Sequence, residues 1–215
     1  VLRRCASRYA RSWLVVDAST IWSVWLTVRR GPGVSWGVAN SELQVQTHKG
    51  VLRGERSGKV TRFRGVPYAK APVGALRFRA PQPVSAWSGV REATGSGPSA
   101  PQPRTPMLKV GAQNEDCLTL NVWTPQPDGR GRPVMVWLHG GGFHLGSGTE
   151  GQYEGSALSA HGDVVVVTLN YRLGVLGFGY FAEVLGDGFE GESNLGLRDQ
   201  VAPIGEIHGV RPFGD

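Results

Sequence analysis

Cysteine is nearly absent from this sequence: Cys5 and Cys117 are the only two in 215 residues. Two thiols cannot build the disulfide framework of a small secreted domain, and their number demands no oxidising compartment. Metal-ligand clusters are missing as well. His139 and His144 stand five apart in a glycine loop, His161 lies by itself, and no Cys, Asp or Glu accompanies them at ligand spacing, so no metal and no cofactor is expected. An unbroken apolar run of the roughly 20 residues that a spanning helix needs is also absent, which leaves no membrane span. Nor does most of the chain carry an excess of one charge. Of the net +6, residues 1–40 hold +5, through six arginines against Asp17 alone, and residues 41–215 balance 17 basic against 16 acidic side chains. A nearly neutral body offers no face for nucleic acid. What remains is 40% hydrophobic and 19% charged, a globular composition on a chain long enough for one large domain or two small ones.

Residues 1–42 stand apart. Trp13, Trp22, Trp25 and Trp36 are four of the seven tryptophans, and arginines flank a mostly apolar segment from Trp13 to Val28. A basic start and an apolar centre loosely resemble a signal peptide, which would make the protein secreted, but Asp17 and several hydroxyl residues interrupt the run. The segment is read as a basic, tryptophan-rich extension, poorly ordered, ahead of a domain over 43–201.

From Leu43 the pattern is regular. Val45-Gln46-Thr47 and Val51-Leu52-Arg53-Gly54 flank Lys49-Gly50 and predict a hairpin, and Val60 to Val66 predicts a strand. Residues 70–106 are rich in proline and read as ordered coil over a core. Leu118 to Trp123 alternates with period two until Thr124-Pro125 ends it. Val134 to Leu138 is an uninterrupted apolar run of strand length and Val164 to Leu169 is apolar but for Thr168; a crossover with a short helix over Ser156–Ala160 separates them. Two buried strands joined by a crossover point to an α/β sheet.

The first of those runs enters His139-Gly140-Gly141-Gly142-Phe143. Adjacent glycines adopt backbone angles closed to other residues, and without Cβ atoms they let a ligand reach the main chain. Bare N–H groups at the end of a buried strand are how acyl-transfer enzymes hold a developing oxyanion, and an HGGG-type motif plays that part in lipases and esterases. Taken alone, the motif fits a glycine-rich turn with no chemistry equally well.

Four ordered stretches settle more. Phe63-Arg64-Gly65-Val66-Pro67-Tyr68-Ala69, with Pro72, Gly74 and Leu76-Arg77-Phe78, comes first; Glu115-Asp116-Cys117-Leu118-Thr119-Leu120-Asn121-Val122-Trp123-Thr124-Pro125 follows. The third is the glycine loop through Gly146-Ser147-Gly148, and the fourth is Asn170-Tyr171-Arg172-Leu173-Gly174 with Asn194-Leu195-Gly196-Leu197 and Asp199-Gln200. In order and spacing, from about residue 43 to 201, the sequence resembles the type-B carboxylesterase family, which includes para-nitrobenzyl esterases and cholinesterases. The resemblance implies the N-terminal part of an α/β-hydrolase fold: a β-hairpin region, then the first strands of a central mixed sheet. It implies a small-molecule carboxylic ester as substrate and a serine triad. It assigns Gly141 and Gly142 as the two oxyanion-hole N–H donors, with His139 and Gly140 shaping their loop. It also implies two structural ion pairs, Arg77 with Glu115 and Arg172 with Asp199, where a planar guanidinium suits a two-point clamp. Secreted eukaryotic members pair the cysteine at Cys117 with one just before a Pro-Gln. Here Ala100 precedes Pro101-Gln102, so Cys117 reads as a buried free thiol, which favours a cytoplasmic setting.

The serine elbow is missing. Gly191-Glu192-Ser193-Asn194-Leu195 is the one lookalike for G-x-S-x-G, but its fifth residue is Leu195 and no buried strand precedes it. After Gln200 the sequence departs from the family: Pro203, Gly205, Gly209 and Pro212 disfavour a helix, so residues 202–215 read as a divergent tail. No nucleophile, acid or base is assigned, and the chain by itself is expected to be an inactive part of an esterase. The rival is a non-catalytic binding or adhesion relative, or a relic, because fold does not imply function. Gly146 to Gly151 also matches G-x-G-x-x-G. Seven residues separate it from Leu138, however, and no acidic residue closes the next strand, so a dinucleotide module is set aside. As the start of a larger sheet, the predicted strands should leave one edge and one face uncovered.

Overall fold

The computed structural model describes residues 43–208 apart from 107, 109 and 187, together with three short strands before residue 43. Those strands are β1 (Trp13–Val15), β2 (Val24–Val28) and β3 (Val38–Ala39). They are followed by β4 (Gln44–Gln46), β5 (Val51–Arg53), β6 (Glu55–Ser57), β7 (Val60–Pro67) and β8 (Val90–Glu92). The remaining elements are β9 (Thr119–Thr124), β10 (Val134–Leu138), α1 (Ser156–Gly162), β11 (Val165–Leu169), α2 (Gly174–Phe178), α3 (Ala182–Leu185) and α4 (Leu195–His208). A seven-stranded mixed sheet has the order β1-β2-β10-β11-β9-β7-β6, and a small sheet has the order β3-β4-β5-β8.

The central pair is β10 and β11, parallel, with Val134 opposite Val165 and Leu138 opposite Leu169. Parallel neighbours need a crossover, and the glycine loop and α1 supply it. Alternation sorts the side chains. Val136, Val167 and Leu169 join Leu118 and Tyr171 in the main core, against which Ala202 and Ile204 of α4 pack. On the other face Trp123 and Val166 meet Val60, Ala160 and Val164. There Gly155 approaches so closely that a Cβ would lie 2.8 Å from Val166 and 2.9 Å from Trp123.

Two features depart from the sequence reading. Two of the strands before residue 43 lie in the central sheet: β2 runs antiparallel along β10, Val134 opposite Val28. The edge of β10 is therefore paired, not open, because a β-branched segment of matching length lies along its free N–H and C=O groups. The helix expected to fail after Gln200 continues to His208 with Pro203 inside it. Packing of Ala202 and Ile204 on the core outweighs the local penalty, as tertiary context routinely does. As expected, one face stays open: among the described residues, cover by helices is incomplete on the α4 face. Beyond Pro203 a groove of about 310 Å³ runs between the two sheets, lined by Leu52, Phe63, Leu120, Val122, Val165 and Val167.

Candidate active site

The last residue of β10, Leu138, hands the chain to His139, and the backbone then turns through conformations that only glycine adopts freely. Gly141 has φ +114° and Gly142 φ +60°; Phe143 follows at φ +64°, although it has a side chain. The turn closes on itself, with the N–H groups of His144 and Leu145 donating to the Gly141 carbonyl at 3.1 Å each. A Cβ on Gly141 would stand 2.1 Å from the Leu145 oxygen, whereas one on Gly142 would meet nothing within 4 Å. Both glycines are exposed. Among the described residues, no carbonyl or side-chain acceptor takes the N–H of Gly141 or Gly142. Two free donors at an accessible turn can accommodate an anionic oxygen.

The turn rests on a buried platform. The His139 imidazole stacks on the Tyr171 ring at 4.3 Å and 13°. The Tyr171 hydroxyl donates to the His139 carbonyl at 2.7 Å, and His139 Nδ1 lies 2.9 Å from the Gly140 carbonyl, which places the ring proton there. Burial pushes the imidazole down to about 4, so it is neutral near pH 7. The N–H of Gly174 donates to the Phe143 carbonyl at 2.7 Å, and the Phe143 and Phe178 rings pack at 4.6 Å. The segment 171–178 thus supports the loop along its length.

Arg172 anchors that segment. Its Nε and Nη2 donate to the two Asp199 carboxylate oxygens at 2.7 Å each, its main-chain N–H adds a 3.1 Å bond, and Nη1 donates to the Arg79 carbonyl at 2.8 Å. Both partners are buried, at 3% and 0% exposure. Arg77 clamps Glu115 through Nε at 2.6 Å and Nη2 at 2.8 Å, nearer the surface, and Arg77, Glu115 and Arg172 line one small crevice. Ser193 lies in a bend before α4, its N–H bonded to the Gly191 carbonyl at 3.2 Å; α3 and a loop precede it, so no strand feeds it. Cys117 is buried as a free thiol, its pKa pushed up to about 12 by burial. Among the described residues, no group of acidic, histidine or cysteine side chains could hold a metal, and no helix is long and apolar enough to cross a membrane.

A second layer was not assigned from the sequence. Asn170 Oδ1 accepts from the Gly148 N–H at 2.8 Å and the Ser147 hydroxyl at 3.0 Å, and its Nδ2 donates to the Pro98 carbonyl at 2.9 Å. Asn121 Nδ2 donates to the Gly148 carbonyl at 3.3 Å. The Gln102 side chain binds both polar main-chain groups of Gly146. Asn121 and Asn170 sit inside the motifs quoted above, and polar residues within apolar strands were the signal available.

Comparison with known proteins fits this geometry. The profile of the Carboxylesterase family matches residues 41–205. The chain belongs to that family. Over 167 residues it is 45% identical to para-nitrobenzyl esterase of Bacillus subtilis, covering 74% of this chain and 33% of that protein. Over 160 residues it is 49% identical to phenmedipham hydrolase of Pseudarthrobacter oxydans, covering 71% and 31%. A solved carboxylesterase of Geobacillus stearothermophilus superposes with a TM-score of 0.71 at 46% identity, over 80% of this chain and 35% of that one. The fold is therefore that of the carboxylesterase α/β-hydrolases, and the chain spans about a third of the length of the curated relatives it matches.

Proposed function

We propose that residues 43–208 form the oxyanion-hole third of a carboxylic-ester hydrolase. The observation that carries this reading is the pair of unbonded main-chain N–H groups at Gly141 and Gly142, at the end of an inner strand of the large sheet. In the reaction the ester carbonyl oxygen lies over these two donors. Attack by a serine oxygen turns that carbonyl into a tetrahedral oxyanion, and the charge is taken up by N–H dipoles already fixed in place. Losing one such donor typically costs about 10²–10³ in kcat. Neutral His139 contributes shape and no proton. The nucleophile, its base and the acid are not among the residues described here, so the 215-residue chain by itself leaves para-nitrophenyl acetate at its background rate of hydrolysis.

The test joins residues 43–208 to the remaining two thirds of the Bacillus subtilis relative. The folded chimera should hydrolyse para-nitrophenyl acetate in a serine-dependent manner. Gly142→Leu, which fills the space above the donors, should then lower kcat by about two orders of magnitude. A folded, active chimera indifferent to that substitution would remove Gly142 from the oxyanion hole.

A further inference from the structure

The glycine loop is braced at its far end by a side chain from the proline-rich coil. We propose that Gln102 is a positioning residue for the Gly141 and Gly142 amides, acting through Gly146. This rests on the oxyanion reading for its catalytic meaning, though not for its geometry.

The contact is a planar, two-point pairing of amide with amide. Gln102 Nε2 donates to the Gly146 carbonyl at 2.8 Å, and the Gly146 N–H donates back to Gln102 Oε1 at 2.8 Å. The second Nε2 hydrogen goes to the Ala100 carbonyl at 3.1 Å, so the orientation of the amide is determined by three partners. The main chain of Gln102 is held in turn, its N–H donating to Gln113 Oε1 at 3.0 Å. Proline on either side, Pro101 and Pro103, restricts the backbone that presents the clamp.

Gly146 transmits that hold. At φ +111° it packs so tightly that a Cβ would lie 2.3 Å from His139 Nδ1 and 2.5 Å from the Gly140 carbonyl. The preceding residue, Leu145, sets its carbonyl against Gly141 and donates its N–H to the Gly141 carbonyl. Displacing Gly146 therefore displaces both the start of the loop and the residue whose amide is free. Within the glycine loop the Asn170 side chain bonds Ser147 and Gly148 and does not reach Gly146. Among the described residues, both main-chain polar groups of Gly146 are bonded by Gln102 alone.

The experiment compares Q102M and Q102E with the unaltered 215-residue chain by residue-resolved amide hydrogen exchange and by the Gly141 and Gly142 amide chemical shifts. Methionine keeps the length and volume of glutamine and removes the hydrogen bonds, so a packing role leaves every readout unmoved. The expected result for Q102M is exchange about fivefold faster at Gly146, as loss of one partly buried hydrogen bond implies. Exchange at His144 and Leu145 should also be faster, and the Gly142 shift displaced, while the β10 and β11 amides stay unchanged. Q102E keeps an acceptor for the Gly146 N–H but sets its second oxygen against the Gly146 and Ala100 carbonyls; it should speed exchange at His144 and Leu145 and displace the Gly142 shift, so it decides the matter if Q102M fails to fold. Unchanged exchange at 144–146, or a loss shared equally by β10 and β11, overturns the proposal. Because no turnover is measured, this outcome is independent of the chimera: the clamp can fail while ester hydrolysis stands, and the reverse.

Discussion

His139 should tie the stability of this domain to pH in a window where few buried groups titrate. Its imidazole is 3% exposed, stacked on Tyr171 and bonded to the Gly140 carbonyl, and burial lowers its pKa from 6.5 to about 4. A histidine whose folded pKa lies below its unfolded value binds its proton more readily in the unfolded chain. Its contribution is therefore complete above about pH 6.5 and is lost as pH falls through the interval down to 4. Across that interval the difference amounts to about 3 kcal/mol, a large share of the roughly 5–15 kcal/mol that holds a domain together. The perturbation is His139→Gln, which keeps a polar side chain there but cannot titrate. Urea unfolding at pH 7, 5.5 and 4.5 should show the unaltered chain losing more stability than the variant, by about 2–3 kcal/mol at the lowest pH. Carboxylates titrate in both proteins and cancel in the comparison. Equal pH dependence in the two would refute the view that this ring is held neutral by burial and serves the loop as a shape.

Asp199→Ala should cost about 3–5 kcal/mol in urea unfolding, because it strands the Arg172 guanidinium inside the protein. The double variant R172M/D199L, which removes both charges, should recover most of that; an equal loss in both would argue against an ion-pair cause. Gly141→Ala should destabilise more than Gly142→Ala, since only the first drives a Cβ into the Leu145 carbonyl. The second should cost only the roughly 1–2 kcal/mol of a left-handed alanine, and thermal melts reversing that order would contradict the loop geometry. The groove beside α4 should raise the fluorescence of an anilinonaphthalene sulfonate dye in native buffer. No enhancement would mean that this face is covered in solution.

The predicted hairpin, the strand from Val60, the alternating strand before Pro125, the two apolar strands and the short helix between them all have counterparts in the structure. Each is a short-range matter of period, glycine and proline, and period-two patterning and turn chemistry act within a few residues. The catalytic hypothesis was legible for the same reason: an apolar strand running into three glycines is a local arrangement. Arg77 with Glu115 and Arg172 with Asp199 could be named only through family resemblance, since 38 and 27 residues separate the partners. The platform of Tyr171 under His139, the buried polar layer of Asn121 and Asn170, and the clamp from Gln102 to Gly146 across 44 residues depend on which loops the packed sheet brings together. So does α4, which is helical through Pro203 because its apolar side chains gain a core to pack against. Sequence alone determined where the main strands after residue 43 and the glycine turn lie, because those follow from the conformational preferences of neighbouring residues. Tertiary structure decided which groups hold that turn and which of its amides stay free, because a hydrogen bond across the fold depends on distances that no local preference sets.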